Sequence, residues 1–484
     1  MAKLNSKNIK SPKQKDLKRF AYGEAIILGF TGSLGSGCTY ISEGIKNTIG
    51  SDAFRYVLSD IIETSLKKKG IKAPSIQQKQ DEGDLLRKEN GLSVLAEMCL
   101  DAIKKDENKL NENSVILIDG IRNTGEVRCL RAFPNFYLIS VHAPEKERET
   151  RLVGGTAKRR LFATSQNFKE ADARDREEEI ANGQQVERCN DLADIIINNE
   201  EELQDNTARK NKFFSELVQK YILVMQGIRG DVPLIDRSPS INEALMTMAY
   251  CISKKSSCEK RKVGAIIAYI KEFDHLKEKV KRPEDNNKFQ VISTGYNEVP
   301  LGTDPCKLGK YKKCYRDHLK EQLSTEYKNC PNCGRQIPQK IKCPKCSRSM
   351  KRGLLYCSNS ECKADLLTNY SCRRCKQKIF KSYLPGSAQG AGKLLDMCRA
   401  LHGEETAIIG LAGMSKPNNG KIVLYTTTFP CNLCANKIVA AGINLVIFAE
   451  PYTMEEAEKI LEDGRVKTVK FEGVKSTAYF RLYS

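Results

Sequence analysis

The chain lacks any apolar run that could cross a membrane. No stretch approaches the ~20 residues that a bilayer-spanning helix needs, although 40% of the 484 residues are apolar. The first twenty residues, MAKLNSKNIKSPKQKDLKRF, are basic and contain no apolar stretch, so a secretory signal is not expected. The sequence therefore predicts a cytoplasmic protein with no membrane partner and a basic amino-terminal arm over residues 1–20.

Acidic residues are too few to balance the basic ones. The 80 Lys and Arg residues exceed the 60 Asp and Glu residues, which gives a formal net charge of +20. Such an excess favours polyanionic partners, either nucleic acid or the phosphates of free nucleotides. A solvated lysine-rich surface is the alternative, and charge alone does not decide between them.

Disulfides are not expected in a reducing compartment, so the 19 cysteines are candidates for metal binding. Eight of them form four closely spaced pairs: Cys330/Cys333, Cys343/Cys346, Cys357/Cys362 and Cys372/Cys375. Eight thiolates suit two structural zinc sites with four cysteines each. Sequential pairing is the simplest arrangement, although order alone does not fix which pairs share a metal. Cys306, Cys314 and His318 could form a further site.

Strands and helical segments alternate along the first half of the chain. Apolar runs predict buried strands at 25–30, 115–118, 136–141 and 193–198, and a closing helix covers 201–228. This alternation is typical of a parallel α/β sheet. Glycine and proline accumulate at 230–239, where we place a boundary between an amino-terminal domain, residues 21–230, and a second domain, residues 238–484.

The second domain also alternates helices with strands, which predicts an α/β/α arrangement. Helices are predicted at 240–254, near 396–411 and from Cys431, with strands at 263–268, 291–296, 422–426 and 445–449. Residues 306–396 interrupt this pattern as a basic, cysteine-rich zinc-ribbon insertion. Aromatic residues are sparse between 327 and 380, which favours an oligomerisation or lid element over a base-stacking surface.

A glycine-rich loop follows the first predicted strand and opens a helix. Its sequence matches the P-loop pattern G-x-x-x-x-G-K-[ST] at all positions but one, since Cys38 replaces the lysine. Amides of such a loop hold phosphate at a helix start. The residues predicted to bind nucleotide are Gly32, Ser33, Gly35, Ser36, Gly37, Cys38 and Thr39.

The missing lysine decides how this loop is interpreted. Without that cation phosphoryl transfer loses its main charge partner, so a nucleotide-sensing or regulatory domain is favoured over a kinase. Asp119 follows a predicted strand where a carboxylate associated with Mg²⁺ would lie, which makes Mg²⁺ a candidate companion of the nucleotide. Arg87 and Arg122 are candidate phosphate contacts or surface ion pairs.

The second domain contains the pattern H-x-E…P-C-x-x-C, which is typical of zinc deaminases. His402, Cys431 and Cys434 supply one imidazole and two thiolates, which leaves the fourth tetrahedral position of a zinc ion open for water. Glu404 is not a ligand in this pattern and is the candidate catalytic acid–base. A closed structural zinc knuckle is the alternative, and the paired motif with its spacing favours catalysis.

Four segments of the second domain resemble the deoxycytidylate deaminase family: CEKRKVGAII at 258–267, STGYNEVP at 293–300, HGEETAI at 402–408 and TTFPCNLCANKIVAAGI at 427–443. The resemblance implies that Asn297 hydrogen-bonds the 3′-hydroxyl of the sugar and that Tyr452 packs against the pyrimidine. It also implies a homo-oligomer, since members of this family are commonly hexameric.

The first domain is similar to nucleoside-monophosphate-kinase-like proteins in DEGDLLRKENG at 81–91, ILIDGIRNTGEV at 116–127 and GQQVERCNDLADIIINN at 183–199. The whole arrangement resembles bacterial antiphage deoxycytidylate deaminases. That resemblance implies conversion of dCTP or dCMP to deoxyuridine nucleotides and ammonia, and depletion of dCTP, while the altered P-loop predicts a regulatory nucleotide there. A nucleic-acid-editing deaminase that uses the basic zinc ribbons is the first alternative, and a non-enzymatic sensor is the second.

Overall fold

The structure is a computed structural model that describes residues 25–154, 161–176, 182–199, 207–222, 225, 239–270, 289–306, 308–310, 312–315, 333, 335–336, 340–343, 346–347, 349–351, 362, 374, 398–413, 421–451 and 455–482. The predicted basic arm over residues 1–20 lies outside this part of the chain. Two α/β units, each built on one main sheet, make up most of the described residues. Among these residues no helix is both long and apolar enough to span a bilayer.

The first unit is built on a parallel sheet. Five strands come from the amino-terminal half: β1 Ile26–Thr31, β2 Ala53–Val57, β3 Val115–Asp119, β4 Phe136–His142 and β5 Ile195–Asn198. They lie in the order β5-β4-β1-β3-β2 and all neighbours among them are parallel. Continuous runs of branched apolar residues form the central strands because both faces of this sheet are covered by helices.

Within the described residues, nine α-helices of the amino-terminal half accompany this sheet: α1 Cys38–Ile49, α2 Leu58–Lys68, α3 Ile76–Asn90, α4 Val94–Lys105, α5 Thr124–Leu130, α6 Glu145–Val153, α7 Ser165–Arg176, α8 Val186–Leu192 and α9 Thr207–Leu217. Two apolar cores lie on opposite faces of the sheet. Leu28 and Phe30 belong to one core with α1 and α9, and Ile27 and Ile118 belong to the other with α4 and α5. The predicted parallel α/β unit is confirmed.

The second unit is built on a mixed sheet in the order β12-β11-β10-β6-β7. Its strands are β6 Gly264–Ile270, β7 Phe289–Tyr296, β10 Lys421–Thr428, β11 Leu445–Glu450 and β12 Lys467–Lys470. β6 is antiparallel to both β7 and β10, and β10, β11 and β12 are parallel. Its helices are α10 Ile241–Ser253, α11 Gly403–Ile409, α12 Asn432–Ala440 and α13 Glu455–Asp463.

Helices lie on both faces of this second sheet, as the sequence predicted. α10 packs on the face that carries Ala268 and Tyr425, and α11 and α12 pack on the face that carries Ile267 and Leu424. The helix predicted near 396–411 begins only at residue 403, immediately after His402. A short hairpin, β8 Lys340–Lys342 and β9 Ser349–Lys351, belongs to the predicted insertion.

The carboxy-terminal segment of the chain completes the amino-terminal sheet. Strand β13, Gly473–Val474, is antiparallel to β5 and forms the sixth strand of that sheet. Helix α14, Ser476–Leu482, then adds Ala478 and Leu482 to the core that contains β1 and α1. The pairing of β13 with β5 was not predicted from the sequence, because a two-residue strand has no detectable periodicity. The predicted domain bounds themselves stay a prediction.

Candidate functional site

Two helix starts converge beside the second sheet. His402 directly precedes α11, and Cys431 directly precedes α12, with Cys434 in the first turn of that helix. The strand β10 leads into Pro430 and Cys431, and its residue Thr426 lies beside α11. The start of a helix carries partial positive charge, which stabilises thiolates there.

The three candidate ligands have the spacing of a tetrahedral metal site. His402 Nδ1 lies 3.3 Å from Cys431 Sγ and 3.4 Å from Cys434 Sγ. Zinc bonds of about 2.3 Å to sulfur and 2.0 Å to nitrogen imply a separation of roughly 3.5 Å along such an edge. All three ligand atoms lie within 4.8 Å of one another, so this donor set fits zinc without a change in the backbone.

The predicted acid–base residue lies next to this cluster. Glu404 is 3% exposed, its Oε2 lies 3.7 Å from Cys434 Sγ, and its Oε1 accepts a hydrogen bond of 3.3 Å from the Thr426 hydroxyl. Burial raises the pKa of Glu404 above its ordinary value. A carboxyl with a raised pKa in a closed site is suited to take up and release a proton.

The pKa values of the two thiols are shifted in opposite directions. A hydrogen bond from Cys434 lowers the pKa of Cys431 to about 4, and the pKa of Cys434 is correspondingly raised by that bond and by burial. The hydrogen bond with Cys431 also raises the pKa of His402. Thiolate formation at physiological pH therefore needs no external base at Cys431.

Asn297 lies at the end of β7, close to the start of α11. Its Oδ1 accepts a hydrogen bond of 2.5 Å from Val263 N, and its carbonyl oxygen accepts one of 2.9 Å from the Ser256 hydroxyl. The next residue, Glu298, bridges to Leu401, which precedes His402. A ligand contact by Asn297 would therefore use its Nδ2 amide, which donates. Tyr452, the other predicted substrate residue, lies outside the described residues.

One glycine shows how closely this segment approaches the helix that carries Glu404. A Cβ on Gly295 would lie 2.2 Å from the carbonyl oxygen of Gly403 and 2.3 Å from Ala407 N. Backbone atoms cannot move aside as a flexible side chain can. The GYN portion of β7 therefore packs directly on α11, which brings Asn297 and the metal ligands to one end of the sheet.

A second cysteine cluster lies at the β8–β9 hairpin. The ligand atoms of Cys343, Cys346 and Cys362 lie within 4.8 Å of one another, and Cys343 Sγ is 3.8 Å from Cys362 Sγ. Two sulfurs on a tetrahedral zinc are separated by roughly 3.8 Å. Cys362, from the third pair, lies with the second pair, which differs from the sequential arrangement, and the assignment of the pairs to metal ions stays a prediction.

The other predicted structural ligands are placed as follows. Cys333 is described and partly buried, and it is not part of the three-cysteine cluster. Cys306 and Cys314 are both buried. Outside the described residues lie Cys330, Cys357, Cys372, Cys375 and His318.

The P-loop lines a cavity of about 570 Å³ in the first unit. All of the predicted nucleotide-binding residues, from Gly32 to Thr39, lie on its wall. Gly35 and Gly37 have φ angles of 83° and 99°, a region that favours glycine. The volume lies in the range of ligand pockets, about 300–1,000 Å³.

Both arginines predicted as phosphate contacts line this cavity. Arg87 is buried and forms ion pairs with Glu126 and Asp84, while Arg122 pairs with the buried Asp175. They are thus interior ion pairs at the cavity wall. A surface ion pair is therefore wrong for the buried Arg87, and contact of either arginine with phosphate stays a prediction.

Sequence reasoning missed three residues that shape the P-loop site. Arg151 donates to the carbonyl oxygens of Gly35 and Ser36 at 3.2 and 3.4 Å, and Asn199 Nδ2 donates to Ser36 O at 2.7 Å. Arg55 pairs with Asp119 at 2.6 Å. Each comes from a distant part of the chain, so no local motif identifies it.

Comparison with known proteins agrees with the presence of two different α/β units in the chain. Residues 285–450 match the family model "Cytidine and deoxycytidylate deaminase zinc-binding region". Deoxycytidylate deaminase of Saccharomyces cerevisiae is 25% identical over 247 residues, which cover 48% of this chain and 73% of that protein. The Schizosaccharomyces pombe deoxycytidylate deaminase is 25% identical over 217 residues, 45% of this chain and 39% of that protein. These matches support zinc-dependent hydrolytic deamination of cytidine-type compounds.

The amino-terminal unit has a different relative. A UPF0200 protein of Methanoregula boonei is 32% identical over 154 residues, which cover 32% of this chain and 78% of that protein. Through this amino-terminal unit, to which a deaminase zinc-binding region is joined, the chain belongs to the UPF0200 family.

Proposed function

We propose that this protein hydrolyses the 4-amino group of deoxycytidine nucleotides, dCTP or dCMP, to give dUTP or dUMP and ammonia. The observation that carries the proposal is the triangle of His402, Cys431 and Cys434 beside the buried Glu404 carboxyl. Three protein ligands with a neighbouring acid–base residue are the composition of a catalytic rather than a structural zinc site.

The chain's own groups have distinct tasks in this reaction. When bound, zinc acts as a Lewis acid that lowers the pKa of a water molecule at the open position. Glu404 would accept one proton of the attacking water and place it on the ring nitrogen, where it stays in the product. It would then take the second proton, from the hydroxyl added to the ring, and pass it to the amino group, which leaves as ammonia. Thr426 holds the Glu404 carboxyl in place through its hydroxyl, at 3.3 Å.

A phosphorylated substrate is supported by the loop over residues 256–263, which packs against Asn297. Ser256 and Val263, at the two ends of this loop, both donate hydrogen bonds to Asn297. Four lysines of the same region are exposed: Lys254, Lys255, Lys260 and Lys262. Flexible exposed ammonium groups beside a sugar-binding residue suit the phosphates of a nucleotide better than the neutral nucleoside.

We also propose that the P-loop unit binds a regulatory nucleotide. Support comes from hydrogen bonds that join the P-loop to the second unit. Asn199 donates to Ser36 O at 2.7 Å, and its neighbour Asn198 donates to the carbonyl oxygen of Lys470 at 3.2 Å. Lys470 in turn ends β12, next to β11 of the deaminase sheet.

A second connection reaches the metal ligands. Glu450, at the end of β11, accepts a hydrogen bond from Phe429 N through its carbonyl oxygen at 2.8 Å. Phe429 lies two residues before Cys431. The Glu450 carboxylate lies 3.8 Å from Lys475, whose ammonium donates to the carbonyl oxygen of Asp191 in the first unit at 2.9 Å. A shift of the first unit therefore reaches the segment that holds Cys431.

The assembly and the metal content belong to the same proposal. One catalytic zinc and two structural zinc ions are expected, of which the Cys343, Cys346 and Cys362 cluster supports one structural ion. A homo-oligomer is supported by exposed apolar side chains on the two helices that carry the catalytic ligands. Ile409 and Leu433 are 55% and 40% exposed, and such side chains are typical of subunit contacts.

The biological role that fits a dCTP-consuming enzyme of this composition is antiphage defence. Removal of dCTP limits replication of any DNA whose synthesis draws on the same pool. A regulated enzyme suits this role because constant deamination would also deplete the host. This role requires dCTP turnover, and a protein that does not deaminate dCTP would not have it.

The test is ammonia release from the purified full-length chain offered dCTP, dCMP, CTP, deoxycytidine and a cytosine-containing single-stranded oligonucleotide. Turnover of dCTP or dCMP, with little of deoxycytidine, is the expected result. Turnover of the oligonucleotide alone would replace the proposal with nucleic-acid editing, in which the positive charge and the zinc ribbons hold the strand. No turnover of any compound by zinc-loaded protein would reject deamination.

A further inference from the structure

Asp119 ends β3 at the base of the P-loop cavity and is held by the protein's own donors. Its Oδ2 accepts hydrogen bonds from the Thr39 hydroxyl at 2.9 Å and from the Ser42 hydroxyl at 3.4 Å. The Arg55 guanidinium lies 2.6 Å from the same oxygen. Asp119 is 2% exposed, so these contacts take place inside the protein.

Arg55 is fixed in this position from three sides. Its Nε donates to Ser42 Oγ at 2.8 Å, one terminal nitrogen pairs with Asp119, and the other lies 3.3 Å from Glu43. A planar guanidinium whose three nitrogens all have partners is held in one orientation. Arg55 comes from β2, an element without any role in the P-loop motif.

A magnesium ion does not fit beside this pair. Mg²⁺ in phosphate sites is held by one or two carboxylates together with phosphate oxygens and water. Here the negative charge of Asp119 is already balanced by Arg55 at 2.6 Å. A divalent ion at this carboxylate would lie close to the partly buried Arg55 guanidinium, and the repulsion between the two cations opposes binding of the ion.

The P-loop itself adds no charge. Burial raises the pKa of the Cys38 thiol to about 12, so this side chain is neutral where a P-loop lysine would be cationic. Arg122 lies close enough to Cys38 and Asp119 to interact electrostatically with both. The cations of the cavity are therefore arginines and a lysine supplied by other elements.

Four basic and two acidic residues line the cavity. The basic residues are Lys79, Arg87, Arg122 and Arg151, each of which also forms an ion pair with a carboxylate outside the lining, and the acidic residues are Glu43 and Asp119. A nucleoside polyphosphate without a bound metal is more negative than its magnesium complex. Fixed guanidinium groups and P-loop amides can compensate that charge without a metal ion.

We propose that the P-loop cavity binds a nucleoside di- or triphosphate free of divalent metal, with Arg55 in the place that Mg²⁺ would occupy beside Thr39 and Asp119. This inference rests on the proposed nucleotide site of the regulatory unit and specifies its ligand. It also explains how the site remains a sensor, because phosphoryl transfer needs metal ions that bridge the phosphates and neutralise developing charge. The bound nucleotide stays intact.

The experiment is equilibrium dialysis of the full-length protein against radiolabelled ATP, GTP and dTTP, none of which contains cytosine. Magnesium is removed by gel filtration without chelator, so that zinc is retained. At least one nucleotide is expected to bind without Mg²⁺ and to bind more weakly, by about tenfold or more, when millimolar Mg²⁺ is added, because Mg²⁺ draws the free nucleotide into a complex that this site does not take. A Kd that Mg²⁺ leaves unchanged or lowers would contradict metal-free binding.

Two variants sharpen the comparison. Arg55→Ala is expected to weaken binding by about tenfold or more without Mg²⁺, and to make added Mg²⁺ strengthen binding instead of weakening it, because Asp119 is released. Arg55→Lys keeps the charge but loses the fork, and should fall between the two. Arg128→Ala, at an exposed arginine of α5, is the matched control and should leave the Kd unchanged.

The outcomes separate the inference from the proposed function. Wild-type binding that requires Mg²⁺ would overturn metal-free binding and leave the nucleotide site standing. Absence of binding for all three nucleotides, with and without Mg²⁺, would remove the regulatory nucleotide site itself, and the inference with it. Ammonia release from dCMP and dCTP, measured on the same preparations, reports on the deaminase part independently.

Discussion

The ammonium group of Lys475 lies 3.8 Å from the carboxylate of Glu450, and the Lys475 side chain is only 1% exposed. Lys475 directly follows β13, which belongs to the sheet of the first unit, whereas Glu450 ends β11 of the deaminase sheet. Tyr250 donates a hydrogen bond to Glu450 at 2.8 Å from the other side. The two units are thus joined by buried polar contacts in addition to the covalent connection of the chain.

Replacement of Lys475 by methionine is expected to destabilise the whole chain. The variant leaves Glu450 without its cation and the carbonyl oxygens of Asn190 and Asp191 without their donor. Breaking a buried pair by removing one partner typically costs about 3–5 kcal/mol of unfolding free energy. Urea unfolding followed by circular dichroism measures the loss.

Lys467→Met is the control for this change, because Lys467 is an exposed lysine on β12. Surface replacements of this kind alter stability by less than about 0.5 kcal/mol. Equal stability of the two variants would show that the Lys475 contacts contribute nothing measurable to the junction.

Stability is also expected to depend on pH through Lys470. Burial lowers the pKa of Lys470 from 10.5 to about 7. Between these values the unfolded chain binds more protons than the folded chain, so stability is lost as pH falls from about 10 towards 7. Lys470→Met should flatten this part of a melting-temperature profile, whereas Lys467→Met should not. A profile with the same slope in wild type and Lys470→Met would contradict the assignment.

The strands were predictable where a continuous apolar run determines them. The segments at 25–30, 115–118 and 136–141 became β1, β3 and β4 with ends shifted by at most one residue. β2 was missed, because its AFRYV sequence is short and mostly half-buried at the sheet edge. β13 was missed because its pairing with β5 joins residues far apart in sequence.

The metal cluster was predictable for a different reason. His402, Cys431 and Cys434 belong to two local motifs whose spacing alone places ligands at helix starts. Arg55 was not, since its contact with Asp119 spans 64 positions and only the folded sheet brings β2 beside β3. Metal ligands can be identified from a local motif, whereas a charged partner such as Arg55 is brought to its site only by tertiary packing.

Glu404→Gln is expected to retain zinc and lose deamination. Glutamine has nearly the same shape, but it cannot carry the proton from water to the ring nitrogen, and loss of a general acid–base typically lowers the rate by about 10²–10⁴-fold. Metal analysis and an ammonia assay with dCMP give the two readings. Near wild-type turnover in the variant would transfer the acid–base role to another residue, with Glu405 as the neighbouring carboxylate.

Cys434→Ser is expected to lose both the catalytic zinc and turnover. A serine hydroxyl is a poor substitute for a thiolate as a zinc ligand, and the Cys431–His402 pair alone cannot hold the ion in tetrahedral geometry. Cys251→Ser, at an exposed cysteine away from the cluster, is the control and should keep the wild-type zinc content. Zinc content measured by atomic absorption distinguishes them, and full zinc content in Cys434→Ser would remove this residue from the ligand set.

Gly37→Ala is expected to disable the P-loop while the fold survives. A Cβ at Gly37 would lie 2.1 Å from Asn199 Nδ2, the atom that donates to Ser36 O, and the φ angle of 99° is itself unfavourable to alanine.

Gly50→Ala is a close control, because Gly50 also has a positive φ, 86°, but has no atom within 4 Å of an added Cβ. Gly37 has a left-handed backbone, with φ 99° and ψ 29°, which costs an alanine about 1–2 kcal/mol. Gly50, with φ 86° and ψ −131°, lies in a region essentially restricted to glycine, so the control tests backbone strain without the clash with Asn199. Nucleotide binding by equilibrium dialysis should be lost in Gly37→Ala and kept in Gly50→Ala, and any nucleotide response of dCMP deamination should follow the same division. Equal binding by the two variants would show that the Asn199 contact does not shape the phosphate site, and would leave the coupling between P-loop and deaminase to the Lys475 junction alone.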